Sequence, residues 1–349
     1  MTKEKKMVIM VTMPFLIYLT SLFMNNLTVI LLFSYMALYF ALEYKLKIIP
    51  LLVSMVIASN IGGAALPWAD TPAVILTLYT DFSLIDFLNK LFIPCLVYMI
   101  MLAVYIVINC RTHKEKVREV PFKVDKPVDW QGARMPIILF IIYIVAISVG
   151  PFYNISIAYI SLLFGGILIF FDRKKPMDVL NDLPIMDSIV FLIGLFVIGG
   201  VLQYSGILDS VANYIVSLAG SNIYLLILAV IFLDFIMATF LSAGPAASTL
   251  LPICMILTEM VPFKLIYAAL ALGILAGSSM FPWSATGGPI LLSQVNEFLK
   301  RPKICDIREK HRISEIFSLK AYVAFSVPFS LIILVLSYIY LCIYANIIV

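Results

Sequence analysis

Two interrupted apolar stretches hold most of the polar side chains that could bind an ion. The first, ASNIGGAALPWADTPAVIL at residues 58–76, contains Asn60 and Asp70 among glycines and prolines. A carboxylate in such an apolar setting can bind a cation or carry a proton, and an amide can contact a cation or an oxyanion. Capping a turn before Thr-Pro is the alternative role for Asp70. Because neither stretch contains another acid, Asp70 is the principal candidate for ion coupling.

The second stretch, GSSMFPWSATGGP at residues 277–289, repeats the pattern. Both stretches contain Pro-Trp followed by a small residue, a threonine and a further proline. Ser278, Ser279 and Thr286 would offer oxygens to a cation or hydrogen bonds to an oxyanion; alternatively they only satisfy backbone groups that the break leaves free. Because Gly and Pro stop helices, each stretch predicts two half-helices joined by an unwound linker of roughly ten residues.

An apolar hairpin is predicted before each interrupted stretch. Residues 8–42 are too long for one span and hold Asn25 and Asn26 at their centre, and residues 223–257 repeat this form around SAGPAAS, residues 242–248. The arms, of about 16 residues, are shorter than the roughly 20 that cross a bilayer, which favours re-entrant hairpins. Each centre lies about 40 residues before its Pro-Trp. The chain therefore contains an internal repeat.

The tips and the breaks form the predicted binding site. Unsatisfied backbone groups in hydrocarbon cost several kcal/mol each, so breaks persist only where they line an enclosed, partly hydrated cavity. Half-helix N-termini there attract anions and C-terminal carbonyls suit Na⁺, as in transporters. Asp234, in an apolar hairpin arm, is either a second titrating group or a structural hydrogen-bonding group. The other candidates are Asn25, Asn26, Asn60, Asp70, Ser242, Gly244, Ser248, Ser278, Ser279 and Thr286.

The composition predicts an all-α polytopic membrane protein. Of 349 residues, 63% are hydrophobic and 13% charged, against about 45–50% and about 25% in soluble domains. The apolar surface of the protein is therefore expected to contact the lipid bilayer. The net charge of +4 resides in short loops, where it reports orientation and not nucleic-acid binding.

The sequence lacks the motifs of an intramembrane enzyme. His113 and His311 both fall in basic loops, and neither an HExxH nor a GxGD motif occurs. The five cysteines show no CxxC spacing, so we expect no metal site other than one for Na⁺ and no cofactor beyond Na⁺ or H⁺ as coupling ion.

Charge distribution predicts the topology. With the N-terminus in the cytoplasm and the hairpins returning to opposite sides, all but Lys90 and Lys264 of the 24 Lys and Arg residues lie inside, as the positive-inside rule requires. We expect a first inverted repeat at 1–110, a basic cytoplasmic loop at 111–134 and a second repeat at 135–349. Full spans are predicted at 87–108, 185–203 and 321–344, in the plasma (inner) membrane.

Three segments resemble the ion transporter superfamily: LTSLFMNNLTVILLF, ASNIGGAALPWADTPAVIL with FSLIDFL, and IMDSIVFLIGLFVIGGVLQYSGILDSVANYI. The similarity is to the branch of arsenite permeases, sodium–proton antiporters and the melanosomal P-protein, which is related to citrate and dicarboxylate carriers. The resemblance implies a homodimer in which the hairpins and broken helices form a transport domain that moves against a scaffold like an elevator.

The family motifs correspond to particular residues of this chain. The hairpin-tip motif falls on Asn25, Asn26, Leu27 and Thr28, the Asn-x-Gly-Gly break on Asn60, Gly62 and Gly63, and Gly-Asp-Pro-Pro on Ala69, Asp70, Thr71 and Pro72. The chain departs from the family where the hairpin acid is Asn25 and where the second tip reads Ser-Ala-Gly-Pro. It also begins at the first hairpin, whereas three helices open the second half. That difference implies a truncated start, scaffold helices supplied by another chain, or a member that no longer transports.

These observations favour a secondary active transporter of a small ion. The predicted substrate is an inorganic or carboxylate anion coupled to Na⁺ or H⁺. Two alternatives are a Na⁺/H⁺ antiporter and a truncated or non-transporting membrane partner subunit.

Overall fold

The computed structural model describes residues 3–44, 46–112, 130–153, 155–171, 204–220, 222–258, 264–300 and 318–348, together with residues 177, 197 and 201. All regular secondary structure in this part of the chain is helical. The protein is an all-α polytopic membrane protein, as predicted. The predicted span at 185–203 lies outside the described residues except for positions 197 and 201.

The helices of the N-terminal half show one hairpin, one interrupted helix and one long span. They are α1 (Lys3–Ser21), α2 (Asn26–Glu43), α3 (Ile48–Ala65), α4 (Thr71–Tyr79), and a continuous helix made of α5 (Leu84–Phe87), a π-helical turn (Leu88–Phe92) and α6 (Ile93–Thr112).

The C-terminal half repeats this order after a few additional helices. Its described helices are α7 (Trp130–Val149), followed by a 3₁₀ turn (Gly150–Tyr153), α8 (Ile157–Phe171), α9 (Ile207–Ala219), α10 (Ile223–Leu241), α11 (Ala243–Thr258), α12 (Leu265–Ser278), α13 (Gly288–Lys300) and α14 (Leu319–Ile348).

The chain forms two compact units. The larger comprises Met1–Phe122 with Gly199–Val349 and contains both hairpins and both interrupted helices. The smaller, Lys123–Ile198, contains α7 and α8, which pack together. A hydrogen bond of 3.1 Å between the hydroxyls of Tyr143 and Ser161 joins these two helices.

Local chemistry interrupts the first helix close to the predicted place, but the linker, Leu66 to Asp70, is shorter than the roughly ten residues predicted, because Gly62 and Gly63 remain helical within α3. Leu66 and the following Pro67 leave the helical conformation and stop α3. Asp70 then caps α4, and Pro72 occupies the first turn, where its missing N–H is not required. In the second hairpin, Ser242 adopts φ 74° between α10 and α11 and makes the sharp reversal of the chain.

The two repeats share their packing as well as their helix order. Within each repeat, the first hairpin arm packs against the first half of the interrupted helix: α1 against α3, and α10 against α12. A glycine permits each close approach. A Cβ on Gly62 would lie 2.6 Å from the carbonyl oxygen of Tyr18, and one on Gly277 would collide with the carbonyl oxygen of Phe235. Tyr18 and Phe235 are therefore equivalent positions.

The second hairpin arms exchange partners between the repeats. Helix α2 packs against α13, and α11 packs against α4. Each hairpin tip thereby reaches the interrupted helix of the other repeat: a Cβ on Gly287 would lie 2.6 Å from Ile30, and one on Gly244 would lie 3.2 Å from Thr71. The opposite orientation of the repeats in the membrane stays a prediction.

Four helices in the described part of the chain are long and apolar enough to cross a membrane. They are Ile48–Ala65, Leu84–Cys110, Ile223–Leu241 and Leu319–Ile347. Two of them coincide with the predicted spans at 87–108 and 321–344. Since Ile223–Leu241 is the first arm of the second hairpin, the re-entrant character of that hairpin remains a prediction. Exposed apolar side chains four residues apart form a stripe along α14: Leu331, Val335, Ile339 and Ile343.

The two lysines that the topology places outside lie in one ion cluster. Lys90 pairs with Asp86, and Nζ of Lys264 lies 3.3 Å from Asp86 and 2.9 Å from Asp81. Ser83 and Asp86 also form a reciprocal cap at the start of α5. Lys90 and Lys264 therefore share one face of the protein, in agreement with their predicted common side.

Candidate functional site

Three polar side chains meet where the first hairpin tip reaches the first break. Asn26 begins α2, Asn60 lies in the last two turns of α3, and Asp70 caps α4. Nδ2 of Asn26 donates to Oδ2 of Asp70 at 2.7 Å and lies 3.5 Å from Oδ1 of Asn60. All three side chains are buried. We call Asn26, Asn60 and Asp70 the polar cluster.

The Asp70 carboxylate fills both of the roles that the sequence left open. Its Oδ1 accepts a hydrogen bond from the backbone N–H of Thr71 at 2.8 Å, so Asp70 is a helix cap. Its Oδ2 is directed at Asn26 and belongs to the polar cluster. An Asp that only caps a helix would normally lie at the surface, whereas Asp70 is 5% exposed.

The amide oxygen of Asn26 lacks a hydrogen-bond partner among the described residues, although it is buried. Buried polar atoms are nearly always hydrogen-bonded, and an exception needs an explanation. An oxygen without a donor, next to a carboxylate, is an arrangement that suits a cation or a proton-carrying group.

Asn60 connects the polar cluster to the second repeat. Its Nδ2 donates to the carbonyl oxygen of Ser278 at 3.2 Å and lies 3.3 Å from Oγ of Ser279. Ser278 is the last residue of α12, so Asn60 binds the C-terminal end of the first half of the second interrupted helix. The two breaks are thus joined by side-chain hydrogen bonds, and both contribute oxygen atoms to one place.

A small cavity adjoins the cluster. Its free volume is about 20 Å³, which is room for a water molecule or a small ion. Asn60, Asp70 and Ser278 supply its polar groups. The remaining walls are apolar or backbone and are formed by Gly63, Ala64, Pro72, Ala73, Phe87, Ala243, Ala271, Ile274 and Leu275.

Helix N-termini are the source of positive potential at this cavity. Helices α2, α4 and α11 begin at Asn26, Thr71 and Ala243, all at or beside the cavity or the polar cluster. No Lys, Arg or His lines the cavity within the described residues. Helix N-termini attract anions, whereas Asp70 attracts cations, so the site offers surfaces for both signs of charge.

Glycine at position 63 makes the cluster sterically feasible. A Cβ there would lie 2.8 Å from both amide atoms of Asn26 and 2.8 Å from Cβ of Asp70. Such contacts are too close for carbon, so Asn26 and Asp70 approach α3 only because residue 63 has no side chain.

The other predicted site residues lie outside the polar cluster. Asn25 is exposed and its Oδ1 caps the N–H of Leu27, and Thr28 is also exposed. Ser248 is buried and its hydroxyl donates to the carbonyl of Gly244 at 2.9 Å. The hydroxyl of Thr286 is buried with no partner among the described residues.

Several contacts near the site were missed at the sequence level. Ser284 is fully buried, and its hydroxyl donates to the carbonyl oxygen of Phe281 at 2.8 Å and lies 3.2 Å from that of Ser278, which fixes the second linker. The indole N–H of Trp68 donates to the carbonyl of Leu22 at 3.0 Å and ties the first linker to the hairpin tip. The repeated Pro-Trp-Ser/Ala spacing could have indicated Ser284; nothing in the sequence indicates the partner of Trp68.

Comparison with known proteins gives matches along the whole chain. The citrate transporter family matches residues 1–277 and 182–349. The magnetosome protein MamN of Magnetospirillum gryphiswaldense is 24% identical over 348 residues, covering 97% of this chain and 78% of MamN. The uncharacterized transporter Rv2685 of Mycobacterium tuberculosis is 24% identical over 293 residues, covering 81% of this chain and 68% of that protein.

These matches agree with the all-helical membrane fold. They also agree with the absence of enzyme motifs noted in the sequence. The chain belongs to the citrate transporter family and is a membrane transporter, not an enzyme.

Proposed function

We propose that the chain is a secondary active transporter that moves a carboxylate anion together with a coupling ion, Na⁺ or H⁺. The observation that carries this proposal is the polar cluster: a buried carboxylate and an unpartnered amide oxygen, next to a small cavity at converging helix N-termini. The description of its family as citrate transporters supports a carboxylate substrate. An inorganic anion is the next candidate.

The coupling ion is proposed to bind first, at Asp70. No basic side chain lines the cavity in the described part of the chain, so an ionised Asp70 would repel an incoming anion. A cation or proton at Asp70, with Oδ1 of Asn26 and the carbonyl of Ser278 as neighbouring oxygens, removes that repulsion. The N-termini of α4 and α11 then attract the anion. This order makes anion binding depend on the coupling ion.

The proposed movement is of the elevator type. The hairpin arms pack on the interrupted helices of both repeats, as α2 does on α13 and α11 on α4, which supports their moving as one body. The cavity in this conformation is too small for citrate, so substrate binding requires the hairpin tips to separate from the breaks. We also propose a homodimer in the inner membrane with a cytoplasmic N-terminus.

Uptake by purified protein in liposomes tests the function. We expect labelled citrate to accumulate when a Na⁺ or a pH gradient is imposed, and to remain at the level of empty liposomes without either gradient. Arsenite and phosphate, tested in the same way, identify an inorganic substrate. Absence of gradient-driven uptake for every anion would refute anion cotransport.

One observation favours Na⁺/H⁺ antiport as the second candidate. A buried carboxylate that binds Na⁺ and H⁺ in competition is sufficient for exchange, and Asp70 has the required burial. Alkalinisation of the liposome lumen, followed with a pH-sensitive dye, reports exchange when Na⁺ is added outside without any anion substrate, because each Na⁺ that enters drives H⁺ out. We expect no such signal if the ion moves only with an anion.

A further inference from the structure

Asp234 is a buried acid that is not part of the polar cluster. It lies on α10, is 1% exposed, and neither carboxylate oxygen has a hydrogen-bond partner among the described residues. Asp70, which is similarly buried, receives two hydrogen bonds. An ionised carboxylate without donors or a counter-ion is strongly disfavoured in an apolar interior. The Asp234 carboxyl therefore carries a proton in this conformation.

The surroundings of Asp234 fit a proton better than a metal cation. On α12, a Cβ at Gly273 would lie 2.8 Å from Cβ of Asp234 and 2.7 Å from the carbonyl oxygen of Ile231, so the two helices are nearly in backbone contact. On α11, the buried thiol of Cys254 is close enough to sense the charge of Asp234. A cation would need several oxygen ligands, which these neighbours do not supply.

Other helices packed against α10 bring no charge to this carboxyl within the described residues. These helices are α9 and α14, besides α11 and α12. The titratable neighbour on α12, Tyr267, interacts with Cys254 and with the ion cluster of Asp81 and Lys264, not with Asp234. Among the described side chains, Cys254 is thus the titratable group that interacts electrostatically with Asp234.

The first repeat shows that the fold does not require an acid here. Because Tyr18 and Phe235 make equivalent contacts with Gly62 and Gly277, the position equivalent to Asp234 is Ile17. Ile17 is fully buried at the corresponding contact between α1 and α3. An apolar side chain therefore satisfies the packing, and the acid in the second repeat calls for a different explanation.

We propose that Asp234 is a proton-binding site separate from the polar cluster, and that release of its proton loosens the second hairpin from α12. Ionisation would place an unpaired charge where α10 and α12 are in near-backbone contact, and only separation of the helices would admit water to solvate it. The protonated carboxyl thus holds α10 and α11 against α12, and the ionised one favours the separated arrangement. This inference does not depend on the identity of the substrate or the coupling ion.

Alkylation of Cys254 tests the proposal without any transport measurement. The full-length protein in liposomes keeps Cys254 as its only cysteine, after replacement of Cys95, Cys110, Cys305 and Cys342 by alanine. The rate of reaction with N-ethylmaleimide is measured between about pH 6 and about pH 9, with and without Asp234→Asn. The rate for the protein with Asp234 is divided by the rate for the Asp234→Asn variant. This ratio cancels the ionisation of the Cys254 thiol, which occurs in both proteins.

We expect this ratio, acid over amide, to rise by about tenfold or more across the range, because release of one proton shifts the population by up to about tenfold for each pH unit above the point where the carboxyl begins to ionise. Charge repulsion alone predicts the opposite, since an ionised Asp234 disfavours the reactive thiolate. A constant or falling ratio overturns the proposal. If the amide variant misfolds, Asp234→Leu takes its place, because the first repeat has an apolar residue, Ile17, at the equivalent position. Thr239→Val, a buried polar change on α10, is the control and should leave the pH profile unaltered.

Discussion

Substitution of Gly63 by alanine tests the polar cluster without deleting any of its polar groups. The new Cβ would lie 2.8 Å from Nδ2 and Oδ1 of Asn26 and 2.8 Å from Cβ of Asp70. The amide end of Asn26 can shift, whereas Cβ of Asp70 moves only with its backbone, so we expect a local displacement of the Asp70 turn in a protein that still folds. The shift separates Nδ2 of Asn26 from Oδ2 of Asp70, which are 2.7 Å apart. The arrangement that we propose for ion binding is then lost.

The size of the effect follows from the contact that is broken. A hydrogen bond to a charged group contributes about 1.5–3 kcal/mol. For Na⁺ as the coupling ion, loss of that free energy from the binding arrangement weakens affinity by roughly 10- to 150-fold, at about 1.4 kcal/mol per factor of ten, and the Na⁺ concentration that gives half-maximal citrate uptake should rise by one to two orders of magnitude at equal protein incorporation. For H⁺ the half-maximal concentration should instead fall, because a carboxylate that loses a hydrogen-bond donor binds its proton more tightly.

Gly165→Ala is the matched control. Gly165 lies in α8, where an added Cβ meets no atom within 4 Å, and alanine favours a helix over glycine by about 1 kcal/mol. This variant should keep the ion dependence of the unmodified protein. If Gly63→Ala also keeps it, the contact between Asn26 and Asp70 has no part in coupling and the proposed site is wrong.

Three further predictions concern packing, the bridge between the repeats and topology. Gly62→Ala should lower thermal stability by about 1–3 kcal/mol, because its Cβ meets the backbone oxygen of Tyr18, which cannot move aside; unchanged melting would exclude a tight contact between α1 and α3. Asn60→Ala should reduce coupled uptake at least tenfold through loss of its bond to the Ser278 carbonyl, whereas Thr28→Ala, at an exposed position, should not. In a cysteine-free background, Lys116→Cys should react with impermeant thiol reagents from the cytoplasmic side only, and labelling from outside would reverse the orientation.

The sequence predicted the breaks because their cause is local. Proline lacks an N–H and favours helix starts, so the end of α3 near Pro67 and the start of α4 at Asp70 follow from residue type, although Gly62 and Gly63 continue α3. Asn26, Asn60 and Asp70 were also identified, since polar groups in apolar sequence need partners and the repeat shows where such partners converge. The helix order of the repeat could also be predicted, because the helix ends that define it depend on local residue types.

Contacts that depend on tertiary geometry could not be predicted. Asn25 and Asn26 are adjacent and identical in chemistry, yet only Asn26 faces the break, because the first turn of α2 directs successive side chains to different sides. The bridge from Asn60 to Ser278 spans 218 positions. Asp234 has no hydrogen bond among the described residues because of the side chains that neighbouring helices place around it. The sequence of one apolar stretch does not show which side chains those are.

Gradient-driven uptake by Asp70→Asn is the most direct test of the central claim that Asp70 couples the ion to the anion. Asparagine caps a helix about as well as aspartate, so the start of α4 and the fold should survive. We predict that Asp70→Asn abolishes accumulation of citrate under Na⁺ and pH gradients, that Asp70→Glu keeps part of it, and that Asp81→Asn, a change at an exposed acid, keeps all of it. Accumulation at the rate of the unmodified protein in Asp70→Asn would contradict the account and leave Asp70 as a helix cap.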